Sequence, residues 1–143
     1  MKLNLGCGKD IKPAWINVDK FDYNQDIIFN LDTFPYPFDD NSFNVILMKD
    51  VIEHLKNPIN CLKEIYRISK DRCILIIRTP HPKSPNMKKD ITHISPISPK
   101  FLSEFNLFPS EVIYYELKQS KPFRLKFFKI VFWNQLLVLI VKK

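Results

Sequence analysis

Only two glycines occur among 143 residues, and both stand at one place: Gly6 and Gly8 flank Cys7 directly behind the short apolar segment Lys2-Leu3-Asn4-Leu5. Glycine is needed where backbone takes a positive φ or approaches another group closely. The unpaired N–H groups of such a turn can meet a carboxylate or a phosphate. Acids follow at Asp19 and Asp32, then the run Lys49 to His54, and further histidines at His81 and His93. Asp19 can accept hydrogen bonds from both hydroxyls of a ribose, and Asp32 from an exocyclic amine. The three histidines carry the side chains whose ordinary pKa lies nearest neutrality, which makes them the candidates for a general base. Each feature has a plainer reading: a tight turn for the glycines, strand-end turns for the acids, structural or solvated rings for the histidines. The histidines show no short ligand spacing, so no metal is expected. An apolar segment, Gly-Cys-Gly and then a strand-end acid together favour an adenosine-containing ligand.

These residues need a scaffold that brings them to one side. Segments 14–19, 26–30 and 43–48 read as strands, separated by the turn chemistry of Pro35, Pro37 and Asp39-Asp40-Asn41-Ser42. A helix is expected from Pro58 to Ser69, because Ile59, Leu62, Ile65, Tyr66 and Ile68 recur near a 3.6-residue period and Asn57-Pro58 suits a helix start. Cys73 to Ile77 is a continuous apolar strand ending at Arg78-Thr79-Pro80, which implies burial on both faces of a parallel sheet. Residues 80–99 carry five prolines and read as a loop or lid. A short helix over 99–108 and strands over 111–117 and 136–141 complete the chain. Segment 121–129 alternates basic with apolar residues, as a strand or hairpin arm would.

Strand-then-helix units give an α/β fold. In an open parallel sheet, ligands bind outside the carboxyl ends of the strands, near the point where strand order reverses. Those ends carry Asn4 to Gly8, Asp19, Leu31-Asp32, Lys49 to His54 and Thr79 to His81, so five loops can face one crevice. Six residues, 9 to 14, separate the glycine pair from the second strand, whereas a parallel crossover ordinarily takes a dozen or more. The first crossover helix is therefore expected to be absent or reduced to one turn.

Composition sets outer limits. With 45% hydrophobic and 26% charged residues, the chain of residues 1–143 reads as a single globular domain and not as a disordered one. Its longest apolar stretch, 130–141, falls short of the roughly 18 to 20 residues of a membrane span. No secretory signal opens the sequence, and the cytoplasm is the expected location. Cys7, Cys61 and Cys73 form neither a disulfide framework nor a zinc knuckle. Net charge is +7, and it is uneven: residues 1–54 hold nine acids and five bases, residues 55–143 six acids and seventeen bases. Such a basic second half could attract an anionic partner or serve solubility.

Leu3-Asn4-Leu5-Gly6-Cys7-Gly8, then Trp15-Ile16-Asn17-Val18-Asp19, Pro35-Tyr36-Pro37-Phe38-Asp39-Asp40-Asn41-Ser42-Phe43-Asn44-Val45-Ile46 and Asp50-Val51-Ile52-Glu53-His54-Leu55 together resemble the class I S-adenosylmethionine-dependent methyltransferases, in the manner of small type 11 domains. The likeness runs to about residue 82. It implies a Rossmann-like, largely parallel sheet of about seven strands with a final antiparallel pair, binding S-adenosylmethionine across its strand ends. By that resemblance Gly6, Cys7 and Gly8 run beside the methionine portion, Asp19 holds the ribose, Leu31 and Asp32 frame the adenine, and Lys49, Asp50 and Val51 lie near the methionine portion and the acceptor entrance. His81, held in Pro80-His81-Pro82 at the end of the fifth strand, is the first candidate for a base and His54 the second.

The function so implied is methyl transfer to a small-molecule acceptor. Two alternatives are a noncatalytic methyltransferase-like subunit that binds a partner and an RNA or ribonucleoprotein methyltransferase using Arg78, Lys83, Lys88, Lys89, Arg124, Lys126 and Lys129 on phosphates. The family commonly has helices before its first strand. Here a second copy or a partner subunit could cover that edge.

Overall fold

The computed structural model describes residues 1–98 in full and, beyond them, the backbone of 110–119, 123–125, 128–130 and 133–142. The elements are β1 (Lys2–Leu5), β2 (Ile16–Asp19), β3 (Ile27–Ile28), β4 (Phe43–Lys49), α1 (Pro58–Ile68), β5 (Ser69–Pro80), α2 (Pro85–Lys89), β6 (Ser110–Gln119), β7 (Phe123–Leu125), β8 (Phe128–Ile130) and β9 (Trp133–Lys142). The helix expected over 99–108 lies outside the described residues.

The sheet runs in the order β3-β2-β1-β4-β5-β9-β6. Its first five strands are mutually parallel, with Asn4 beside Asn17 on one side and beside Leu47 on the other. β9 lies antiparallel between β5 and β6. β7 and β8 form a separate two-stranded ribbon. The chain winds outward from β1 to β3, returns to β4 on the opposite side of β1 and continues to β5. Strand order thus reverses between β1 and β4, which is where an α/β sheet opens a crevice.

α1 packs the core onto one face. Cys61, Leu62, Ile65 and Ile68 are its buried residues, spaced i, i+1, i+4 and i+7, and they meet Leu3, Leu5, Phe43, Ile46 and Met48. Pro58 starts the helix, where its missing N–H would have had no partner. Asn57 makes no side-chain cap bond, contrary to its expected role. At the other end the Ser69 hydroxyl donates to the Ile65 carbonyl at 2.6 Å and the chain turns into β5.

The opposite face differs from the sequence expectation for β5. Burial there alternates, and Ile74 is 36% exposed between buried Cys73 and Leu75. A continuous apolar sequence therefore does not by itself require cover on both sides; separately, residues 6–15 and 20–26, which connect β1 to β2 and β2 to β3, hold no helix. β5 also starts four residues earlier than expected, at Ser69, with its register to β4 shifting before Ile74 and Arg72 at positive φ.

Two buried asparagines do the work of the absent crossover helix. Asn4 and Asn17 are 3% and 2% exposed, side by side on β1 and β2. Asn4 Nδ2 donates to the Asp10 carbonyl and to Asn17 Oδ1, which also accepts the Lys12 N–H. Asn17 Nδ2 reaches the carbonyls of Lys12 and Trp15 and the carboxylate of Asp26. A ten-residue connection that cannot hydrogen-bond to itself as a helix is satisfied by these side chains instead.

The Pro-rich stretch 80–99 is not a plain loop. Ser84 accepts the Met87 N–H at 3.2 Å, Pro85 takes the first helical position, and the short α2 follows with Met87 buried beneath it. No described helix is long and apolar enough to cross a membrane.

Candidate functional site

At the end of β1, Gly6 and Gly8 adopt φ of +63° and +50°. A Cβ on Gly6 would come within 2.3 Å of the Val51 side chain, so the turn touches the loop after β4 with no room between. Nothing lies within 4 Å of where a Cβ of Gly8 would be. The Cys7 N–H donates to the Val18 carbonyl at 3.0 Å and the Gly8 N–H to Asp19 Oδ2 at 2.8 Å, which fixes the turn against the end of β2. Asp19 Oδ1 accepts the Phe21 N–H at 3.0 Å.

The chain leaving β3 is held by the Phe29 N–H on the Asp19 carbonyl and by the Tyr36 hydroxyl on the Leu31 carbonyl, each close to 2.9 Å. Tyr36 is itself buried against Phe29 and Phe34. Asp32 Oδ1 accepts two N–H groups, of Lys56 and Asn57, and so ties the loop after β3 to the entry of α1. At the end of β4, Asp50 takes a positive φ of 56°, its N–H donates to the Arg78 carbonyl at 2.8 Å and its carboxylate pairs with the Arg78 guanidinium. That kink turns the chain across the strand ends into the single 3-10 turn Ile52–His54.

These loops enclose an open crevice of about 440 Å³, lined by Gly6, Asp19, Leu31, Asp32, Asp50, Val51 and His54 together with Lys20, Phe21, Tyr23, Phe29, Asn30, Leu55 and Thr92. The volume is that of a small-molecule site. Three carboxylates and one lysine line it, in a chain whose net charge is +7. The crevice is thus locally acidic, suited to a cationic ligand.

A family model described as a methyltransferase domain matches residues 3–77, just over half of the sequence. The chain belongs to that family. Among solved structures it is similar to an S-adenosylmethionine-dependent methyltransferase from Archaeoglobus fulgidus, with TM-score 0.69, 18% identity, and coverage of 99% of this chain and 85% of the other. It is similar to another from Thermotoga maritima, with TM-score 0.69, 19% identity and coverage of 99% and 82%. A third is a methyltransferase in complex with the Haloferax volcanii Trm112 activator, with TM-score 0.70, 14% identity and coverage of 99% and 81%. At such identities the likeness is one of fold. No curated protein sequence matches the chain.

In this methyltransferase the structure brings Gly6, Asp19, Leu31, Asp32, Asp50, Val51 and His54 to one crevice, as the strand-end argument requires. Cys7 and Gly8 lie beside it, the thiol of Cys7 buried and pushed up in pKa by that burial. Lys49 sends its ammonium to Asp10 at 3.3 Å, over the crossover and away from the lining.

His81 does not line the crevice. Its Nδ1 accepts the Lys83 N–H at 3.2 Å, so the neutral ring carries its proton on Nε2 and has no lone pair free for a substrate proton. Burial, with Lys83 adding to it, holds its pKa below the ordinary histidine value.

Sequence reasoning missed three features of this methyltransferase. Phe21 and Tyr23 line the crevice immediately beyond Asp19, a position two and four residues past a strand end that local pattern could have flagged. Arg78, read as a phosphate contact, is committed to Asp50. Glu53, His54 and His93 come together, with one ligand-capable atom from each within 4.8 Å of the other two; thirty-eight residues stand between His54 and His93, and no local spacing announces the pair.

Proposed function

We propose that the chain binds S-adenosylmethionine in this crevice and transfers its methyl group to a small-molecule acceptor, with residues 1–143 working as one methyltransferase-like domain. The observation that carries the reading is the convergence of the Gly6 turn and Asp19 on one crevice, locked by the Gly8 N–H on Asp19 Oδ2 at 2.8 Å. Asp19 keeps lone pairs for ribose hydroxyls after its two backbone bonds. Leu31 and Phe29 offer an apolar slot for a purine, with Asp32 at its edge. Gly6, Cys7 and Gly8 run beside the methionine portion, with Asp50 and Val51 on the adjoining loop after β4, and Lys49 contributes backbone only.

The bound donor supplies an already activated sulfonium methyl. The protein's residues then have to align an acceptor with it and keep water out. With Asp50 paired to Arg78, Asp19 and Asp32 still outnumber Lys20 in the lining, which favours a cationic donor over its neutral demethylated product. The same acids disfavour a phosphate backbone at the mouth, and Arg78 is not free to meet one; both points support a compact acceptor over RNA. A partner subunit is compatible with the exposed side of β5 around Ile74.

Calorimetric titration with S-adenosylmethionine and with S-adenosylhomocysteine tests the reading. Saturable binding of both, weakened roughly 10- to 100-fold in Asp19→Ala, is expected; no binding of either by the folded protein overturns it. A labelled-methyl assay over small molecules and RNA then separates the acceptor classes, and binding without turnover on any acceptor selects a noncatalytic subunit.

A further inference from the structure

Glu53 is 0% exposed, and only half of its carboxylate is used. Oε2 accepts the Thr79 hydroxyl at 3.0 Å, while Oε1 has no hydrogen-bond partner among the described residues. An unsatisfied carboxylate oxygen away from water is costly and calls for a missing partner. The backbone of the same residue recruits the segment that supplies candidates. Its carbonyl accepts the N–H groups of Ile94 and Ser95, both at 2.9 Å, and this draws residues 92–95 against the 3-10 turn. His93 thereby faces His54, ring centroids 4.7 Å apart.

Both imidazoles are held in one tautomer by oxygen acceptors. His54 Nδ1 lies 3.2 Å from the Thr92 carbonyl and 3.0 Å from the Thr92 hydroxyl oxygen. That hydroxyl donates its own proton to Asp90 Oδ1 at 2.6 Å, so it too can only accept from the ring. His93 Nδ1 lies 3.3 Å from the Met87 carbonyl. With Nδ1–H engaged in each ring, the neutral imidazoles have their lone pairs on Nε2. This is how metal-ligating histidines are oriented by their outer hydrogen bonds. Nor does either ring spend a proton on Glu53 Oε1, which a purely structural histidine pair beside a carboxylate would do.

We propose that Glu53, His54 and His93 form a site for a divalent first-row transition cation, bound through Glu53 Oε1 and the two Nε2 atoms. Two imidazoles and one carboxylate are a donor set suited to Zn²⁺, Mn²⁺ or Fe²⁺ and poorly suited to Ca²⁺. Bonds of about 2.0 to 2.2 Å bring tetrahedral donors to roughly 3.4 Å from one another. One donor-capable atom of each residue already lies within 4.8 Å of the other two, and loading would draw the donors closer still. Asp90 Oδ2, 3.7 Å from His93 Nε2, is the competing partner when His93 is protonated. Three protein donors leave coordination positions open, and His54 sets the site at the wall of the crevice. The inference does not depend on the methyl-donor reading, and it gives His54 the role of ligand in place of base.

Equilibrium dialysis of chelator-stripped protein against Zn²⁺ and, separately, Mn²⁺, with metal analysis, tests the site. The expected result is one tightly held ion per chain and a higher melting temperature when loaded. His93→Gln and His54→Gln should each weaken binding by about 100-fold or more, beyond the 10- to 100-fold typical of outer-shell losses, while still melting cooperatively. Glu53→Gln should do the same if it folds. No ion taken up by the parent, or parent-like affinity in both histidine variants, overturns the proposal, the latter result assigning any bound metal to other side chains such as the cysteines.

Discussion

The backbone N–H of Gly8 donates to Oδ2 of Asp19 at 2.8 Å, so the glycine turn after β1 and the acid at the end of β2 are one hydrogen-bonded unit bridging eleven residues. The carboxylate has two tasks: it shapes the turn, and it faces the crevice.

Replacing Asp19 with Ala removes both. Hydrogen bonds to a charged group are worth about 1.5 to 3 kcal/mol, so affinity for S-adenosylhomocysteine should drop roughly 10- to 100-fold. Asp19→Asn keeps an acceptor for the Gly8 N–H and should fall between. Calorimetry on variants with parent-like melting decides, and equal affinity in all three would remove Asp19 from the binding role.

Gly6→Ala should destabilise the fold by about 3 kcal/mol, from the strain of a left-handed residue plus overpacking against Val51. The contact is specific, so Val51→Ala in the same chain should recover the overpacking part and leave the backbone part, a non-additivity that urea denaturation of the four proteins measures. Gly8→Ala, facing open space, should lose only about 1 kcal/mol, the backbone part alone.

Glu64 predicts an acid limit. Arg67, bonded to it through Nε at 3.1 Å and a terminal nitrogen at 2.7 Å, holds its carboxyl below the ordinary range, and the Tyr36 N–H at 2.7 Å adds to this. A carboxyl depressed in the folded state contributes stability that is fully present above its unfolded pKa of about 4.3 and is lost as pH falls through the folded value. Parent and Glu64→Gln should therefore differ in stability at neutral pH, with the gap shrinking as pH falls below about 4.3. A constant gap across that range would show that the ion pair is not the cause.

His81→Ala should change turnover less than about threefold once an acceptor is known, because Nδ1 is engaged and the ring stands off the crevice lining. A loss of 100-fold or more in kcat with unchanged donor affinity would restore it as the base.

The sheet was legible where chemistry is local. Gly6-Cys7-Gly8, the strand-end acids and the apolar run of β4 each sit within a few residues of the turn or strand they define, and the missing first crossover helix followed from counting six residues. What stayed hidden depends on partners far apart in sequence. Nothing near Asn17 announces Asn4, nothing near His54 announces His93, and the Asp50–Arg78 pair exists only because β4 and β5 run side by side. Alternating burial in β5 was invisible for a related reason: an apolar strand records what it tolerates, while its covering is decided by other segments. The Ser84-Pro85 start of α2 was written in plain capping residues, but five prolines in the same stretch outweighed it.

A crossover closed by side-chain amides behaves unlike one sealed by greasy packing. Its closure rests on the Lys12 N–H held by Asn17 Oδ1 and the Asn17 N–H held by Asp26 Oδ2, so hydrogen exchange at these two amides would report its opening. Asn17 sits two residues before Asp19 on the same short strand, so this seam and the crevice-lining carboxylate share one element. Substituting that amide would therefore act on the crevice through the strand and not by lining it.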